Sequence, residues 1–104
     1  MAGTGTYPKS MRESVAKTSP GWRIVLFNDE VTPFDVVILA LQRACGLSEE
    51  VAEMVAIEAH SEGSAIAKRG ILREEAEAAC VRMRTLTKIP QVCPGVGCHA
   101  ETDD

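Results

Sequence analysis

The segment Trp22-Arg23-Ile24-Val25-Leu26-Phe27 constrains this chain more than any other, because it is an apolar, β-branched and aromatic run that ends abruptly in the polar residues Asn28-Asp29-Glu30. Such a run reads as a buried strand, and the three polar residues that follow favour a turn. Thr32-Pro33 then opens a helix: Thr is a good N-cap, Pro suits the first helical position, and Asp35 complements the helix dipole. That helix is expected to run to Cys45 and to close on Gly46 as a left-handed cap. A second helix starts at Ser48, carries Glu49 and Glu50 in its first turn, continues to about Ser61 and stops at Gly63.

Beyond it, Ser64-Ala65-Ile66-Ala67 reads as a second strand broken by Lys68-Arg69-Gly70, and Leu72 to Leu86 as a third helix. Ile89 to Cys93 is expected to be a third strand, with Pro90 confining it to an edge or to the strand's start. The order β-α-α-β-α-β predicts an α+β fold, a small three-stranded sheet with three helices on one face. Residues 1–20, rich in Gly, Ser, Thr, Lys and Pro, are expected to form a flexible N-terminal arm. Residues 21–93 would form the single domain and 94–104 a flexible acidic tail. With aromatics at only 4% of 104 residues, the core must be built from Val, Ile, Leu, Met and Ala.

Two places look functional. One is Asn28-Asp29-Glu30, where a buried strand hands over to a helix. The other is Ala56, Ala59 and His60, which share a face of the second helix, so that two small side chains lie beside an imidazole. Val51, Met54, Val55 and Ile57 are available for core contacts, which leaves the small residues to make room. If this helix packs near Asn28, an apolar hollow results with Asn28, Asp29 or Glu30, and His60 at its mouth. An ammonium group has donors only and needs acceptors of this kind, so the site suits a free α-amino group whose side chain enters the hollow. Taken singly, each signal has a plainer reading: turn chemistry for Asn-Asp-Glu, a solvated last-turn His, and close helix packing for the alanines.

The joint order decides between these readings. Trp22 through Phe34, then Leu41-Gln42-Arg43, Leu47-Ser-Glu-Glu and Glu58-Ala-His-Ser-Glu-Gly-Ser-Ala65 resemble the ClpS family over roughly Gly21 to Leu86. The resemblance implies a ClpS-like fold and an adaptor that recognises destabilising N-terminal residues, N-degrons beginning with Leu, Phe, Tyr or Trp. It would deliver them to an AAA+ Clp unfoldase-protease of the ClpA or ClpC type. It assigns the amine contacts to Asn28, Asp29, Glu30 and His60, and the side-chain pocket to Thr32, Phe34, Val37, Ala56 and Ala59. The arm before Gly21 corresponds to an extension that takes part in delivery. Many members carry Asp where Glu30 stands, Met at Phe34 and at Ala56, and a Lys where this chain has Ala79.

The rest of the sequence narrows the class. The net charge is −4 and Lys and Arg form no stripe, which argues against nucleic acid as a partner. No apolar stretch reaches the roughly 20 residues that span a bilayer, and the N-terminus lacks a secretion signal's apolar core. A monomer in the cytoplasm, or in an organelle stroma, is expected, with no cofactor, no metal and no enzymatic activity. One alternative is a regulatory module that docks on the Clp unfoldase without cargo. Another is a small metal-binding module using Cys93, Cys98 and His99, which lacks a fourth ligand. Cys45 and Cys80 fall in helical patterns and read as small core residues.

Overall fold

The computed structural model describes residues 21–103; the expected N-terminal arm lies outside them. The chain forms β1 (Trp22–Phe27), α1 (Phe34–Cys45), α2 (Glu49–Glu62), β2 (Ser64–Ile71), α3 (Arg73–Thr87) and β3 (Cys98–Thr102), in the expected β-α-α-β-α-β order. The strands make one antiparallel sheet with β1 in the middle, in the order β2-β1-β3. This central place follows from composition: Ile24, Val25 and Leu26 are all buried. Helices α1 and α3 pack on each other, α2 lies against β2, and α3 crosses both β1 and β3. Among the described residues no helix is long and apolar enough to cross a membrane.

Local chemistry sets most boundaries where the sequence places them. Gly46 (φ 70°) and Gly63 (φ 94°) close α1 and α2 in the left-handed region, where a side chain costs about 1–2 kcal/mol. Ser48 caps α2, its Oγ accepting from Val51 N–H at 3.2 Å. The cap of α1 differs from expectation. Pro33 occupies that position without a side-chain hydrogen bond, and Thr32 turns its hydroxyl back onto Asp29. Strand β2 does not stop at Lys68; it continues to Ile71 by register shifts against β1, with Gly70 at φ 71° taking up one of the extra residues.

The third strand is the largest departure. Ile89–Cys93 is a tight turn instead, closed by Ile89 N–H to Cys93 C=O at 3.0 Å and Cys93 N–H to Ile89 C=O at 2.9 Å. Pro90 cannot donate to a ladder, and Gln91 adopts φ 65°. The strand comes from the segment read as an acidic tail, Cys98–Thr102, which pairs with Trp22 to Leu26. Its carboxylates are what secure it. Glu101 meets Arg23 at 2.8 Å, Asp103 lies 3.6 Å from Arg69, and Gly70 N–H donates to Asp103 at 3.2 Å. Charges that suggested a solvated tail are the partners of cations on the two other strands.

The face of α2 also differs. Ala52, Val55, Ala56 and Ala59 form its buried side, whereas Val51, Met54 and Ile57 are 43%, 66% and 51% exposed. Small side chains let the helix approach the sheet closely, and this approach sets the site described below. Gly63 has free space where a Cβ would stand, so Gly63→Ala should cost only the left-handed backbone term, about 1–2 kcal/mol. At Gly95 (φ 104°) a Cβ would lie 2.7 Å from the Arg84 carbonyl oxygen, so Gly95→Ala should lose about 2 kcal/mol or more. Urea unfolding of the two variants should show that order; equal losses would contradict it.

Candidate functional site

The site forms where β1 runs out. Phe27 pairs with Ser64, and the next residue, Asn28, donates its backbone N–H to the carbonyl of Gly63 at 3.0 Å. That bond ties the Asn28 turn to the C-terminus of α2, three residues past His60. The two sequence features therefore meet because a strand pairing places them together.

Within the turn each polar side chain has a separate task. Asn28 Nδ2 donates to Glu30 Oε2 at 2.7 Å. A carboxylate can only accept, so the amide nitrogen must face Glu30 and Asn28 Oδ1 is left pointing elsewhere. Among the described residues no protein donor meets that oxygen. Asp29 spends both oxygens on the loop. Oδ1 accepts from Val31 N–H at 2.8 Å, an Asx-type turn, and Oδ2 accepts from the buried Thr32 hydroxyl. The Thr32 hydrogen bond, with help from the backbone at Val31 and Thr32, holds the Asp29 carboxyl below the usual range against a smaller opposing effect of burial.

These residues line a hollow of about 160 Å³ together with Phe34, Val37, Ala56, Ala59 and His60, so the structure gathers all nine sequence-proposed site residues around one space. An apolar cavity of about 150 Å³ is large enough to take up benzene, so one large side chain fits here. Val37, Ala56 and Ala59 are buried in the wall, while Phe34 and His60 stand exposed at the rim.

Three lining residues were not anticipated: Leu26, Phe27 and Val96. Phe27 is half-exposed at the strand's end, edge-on to the His99 ring at 6.2 Å and backed by Gly97, where a Cβ would come within 3.4 Å of it. Val96 reaches the site because Thr87, wholly buried at the end of α3, donates its hydroxyl to Met83 C=O at 2.7 Å and accepts from Val96 N–H at 2.9 Å. The sequence held a signal for it: Gly95-Val96-Gly97 sets one apolar residue between two glycines, which permits a close approach of the backbone.

The alternative metal site has no convergent geometry. Cys98 is buried and its neighbour His99 is exposed, as alternation along a strand requires, and Cys93 Sγ donates to Thr87 C=O at 3.2 Å. Among the described residues no three His, Cys, Asp or Glu side chains gather as ligands would. A second hollow of about 340 Å³ lies beside the buried Ala79, ringed by Arg43, Lys68 and Arg82 with Glu75.

Comparison with known proteins points one way. The family profile described as ATP-dependent Clp protease adaptor protein ClpS matches residues 17–91. The ATP-dependent Clp protease adapter protein ClpS of Aromatoleum aromaticum is 38% identical over 50 residues, covering 48% of this chain and 49% of that protein. The one from Deinococcus radiodurans is 35% identical over 46 residues, covering 44% of this chain and 41% of its own length. The alignments thus span less than half the length of these two relatives. The solved structure of Agrobacterium tumefaciens ClpS2 bound to L-phenylalaninamide superposes with a TM-score of 0.70 at 25% identity, covering 80% of this chain and 96% of that one.

Asp29 supplies a pH test of the turn. Its folded carboxyl titrates below its unfolded value, near 3.9 for a free side chain. Its contribution to stability is therefore complete above that value and is lost as pH falls toward the lower folded one. Asp29→Asn should remove this component of acid destabilisation, flattening the profile of unfolding free energy below pH ~4. A variant profile parallel to the wild type would exclude the assignment.

Proposed function

The chain belongs to the ClpS family of Clp protease adaptor proteins, and from that premise we propose that it binds destabilising N-terminal residues and hands the proteins bearing them to an AAA+ Clp unfoldase of the ClpA or ClpC type. It acts in this reading as an adaptor, not a catalyst. The observation that carries the proposal is the hollow of about 160 Å³, apolar within and bordered by Asn28, Glu30 and His60 at its mouth. Asn28 Oδ1, the second oxygen of Glu30 and a neutral imidazole nitrogen of His60 supply three acceptors for an ammonium with three donors. Asp29 contributes its negative charge and holds the turn in shape through Val31 and Thr32. The side chain of the first residue enters between Val37, Ala56 and Val96.

The ligand of the Agrobacterium protein agrees with this division. L-phenylalaninamide has a free amine, an aromatic side chain and an amide, the features of a peptide's first residue. In this chain Phe34 and buried Thr32 crowd the entrance close to where the ligand backbone would sit. Leu, Phe, Tyr and Trp place their bulk beyond that entrance, whereas Ile and Val branch within it. The docking face for the unfoldase is the side of α3 around Ala79, where Arg43, Lys68 and Arg82 supply cations around the second hollow.

Fluorescence anisotropy with peptides differing only in the first residue tests the amine site. Free N-termini should bind, and N-acetylated ones should lose about 1–3 kcal/mol or more, because acetylation leaves the acceptors unpaired. Asn28→Ala and His60→Ala should lose affinity, and Phe34→Ala should admit Ile and Val. Equal binding of free and acetylated peptides would falsify the reading. A separate measurement addresses docking: Lys68→Glu with Arg82→Glu should abolish co-elution with a ClpA- or ClpC-type unfoldase while leaving peptide affinity unchanged. Unaltered co-elution would move the docking face elsewhere.

A further inference from the structure

All four cysteines are buried and free, and two of them meet. Cys80, on the inward face of α3, and Cys98, the first residue of β3, have their sulfurs 3.2 Å apart, with Cys98 donating its S–H to Cys80. A disulfide needs about 2.05 Å between sulfurs, so closing the pair takes a movement of about 1 Å. Arg84 lies one turn along α3 from Cys80 and donates from Nη1 to the Cys98 carbonyl at 2.8 Å, bringing a guanidinium to the pair. The proposed peptide-binding function uses neither sulfur.

We propose that Cys80 and Cys98 form a reversible oxidation site, closed to a disulfide by a peroxide, that fastens β3 to α3.

The chemistry of the two thiols is asymmetric in the sense such a site requires. The S–H of Cys98 and the positive charge of Arg84 favour the Cys80 thiolate and hold its pKa below that of an ordinary thiol, over the opposing effect of burial. Cys98, as the donor, is held well above. Cys45, the nearby third thiol, is pushed up to about 11 by burial and stays protonated. Cys80 is therefore the attacking sulfur and Cys98 the resolving one, the arrangement of a thiolate poised next to a second thiol.

The Cys80 thiolate attacks one peroxide oxygen, the O–O bond breaks, and the departing hydroxide takes up the proton released from Cys80 to leave as water. The sulfur of Cys98 then attacks the resulting sulfenic sulfur, forming the S–S bond and expelling the hydroxyl, which leaves as a second water with the Cys98 proton. Two thiols lose two electrons in total, and the peroxide gains them.

Entry to the buried pair is through β3. Among the described residues it is an edge strand of five residues, paired on one side. Peeling it from β1 exposes both sulfurs to a small oxidant, whereas the closed disulfide prevents the same peeling. Val96 and Gly97 immediately precede Cys98, so the link also fixes the segment that lines the hollow beneath Phe27. This consequence holds whatever the hollow binds.

The test treats the full-length protein with hydrogen peroxide, denatures it, alkylates it with iodoacetamide and measures intact and tryptic masses. The expected product loses two hydrogen atoms, alkylates at two of its four cysteines, is restored by dithiothreitol, and links the tryptic peptide 74–82 to 89–104. Cys93→Ser should leave the link intact, which assigns it to Cys98; Cys80→Ser should abolish it. Because a serine in the core could unfold the chain, hydrogen exchange on wild-type protein gives an independent readout. Amides of β3 should exchange about tenfold more slowly after oxidation. Sulfinic acid on Cys80 without a link, a link to Cys45, intermolecular dimers, or unchanged exchange in β3 would each overturn the proposal.

Discussion

The hydrogen bond from Asn28 N–H to the carbonyl of Gly63, 3.0 Å long, joins the end of the central strand to the end of α2, and the rest of the site depends on it. It continues the β1–β2 ladder by one residue past Phe27–Ser64. Gly63 can present that carbonyl because it occupies φ 94°, a left-handed conformation that also turns the chain from helix into strand. One residue thereby ends α2 below His60, starts β2, and anchors the turn that carries Asn28, Asp29 and Glu30. Pairing that carbonyl with the Asn28 N–H extends the ladder past the strand's end, and in doing so it assembles the candidate site.

The other wall is positioned from the opposite end of the molecule by a single hydroxyl. Thr87 is wholly buried, and its Oγ1 serves two masters, donating to Met83 and accepting from Val96. A threonine at the end of a helix would ordinarily bond only back into its own turn. Here the spare lone pair draws the Gly95–Gly97 segment under the sheet, and Gly95 permits this because nothing larger clears the Arg84 carbonyl. The hollow is thus built between two elements, one pinned by a backbone hydrogen bond and the other by a buried hydroxyl, so the chain itself holds its walls.

Charge placement follows a similar economy. On a chain of net charge −4, Arg23 and Arg69 meet Glu101 and Asp103 across the sheet, and Glu30 is oriented by Asn28. The exposed ion pairs are individually weak, but together with the ladder they decide which segment completes the sheet. That choice also brings Cys98 against Cys80, so the strand that closes the fold carries the one sulfur pair in contact among the described residues.

The elements whose cause is local were legible in the order of residues. The run Trp22–Phe27, the αL glycines at 46 and 63, the Ser48 cap and the order of strands and helices all follow from side-chain volume, backbone freedom and capping within a few residues. The turn at Asn28-Asp29-Glu30 and the small face at Ala56 and Ala59 were legible for the same reason. The third strand was not. Cys98-His99-Ala100-Glu101-Thr102 has weak strand propensity, and its partners are Arg23 and the free side of β1, with Arg69 meeting the next residue, Asp103, all distant in the chain. Ile89–Cys93 has the better strand composition yet turns back on itself, since Pro90 has no donor and Gln91 takes φ 65°. Tertiary structure alone also decided that α2 buries alanines and exposes Met54, that Val96 lines the hollow, and that Asp29 shapes the turn while Glu30 holds Asn28. Each of these depends on which surfaces meet, and pairing between distant segments is settled by the free energy of the whole sheet and core, not by the preferences of any one stretch.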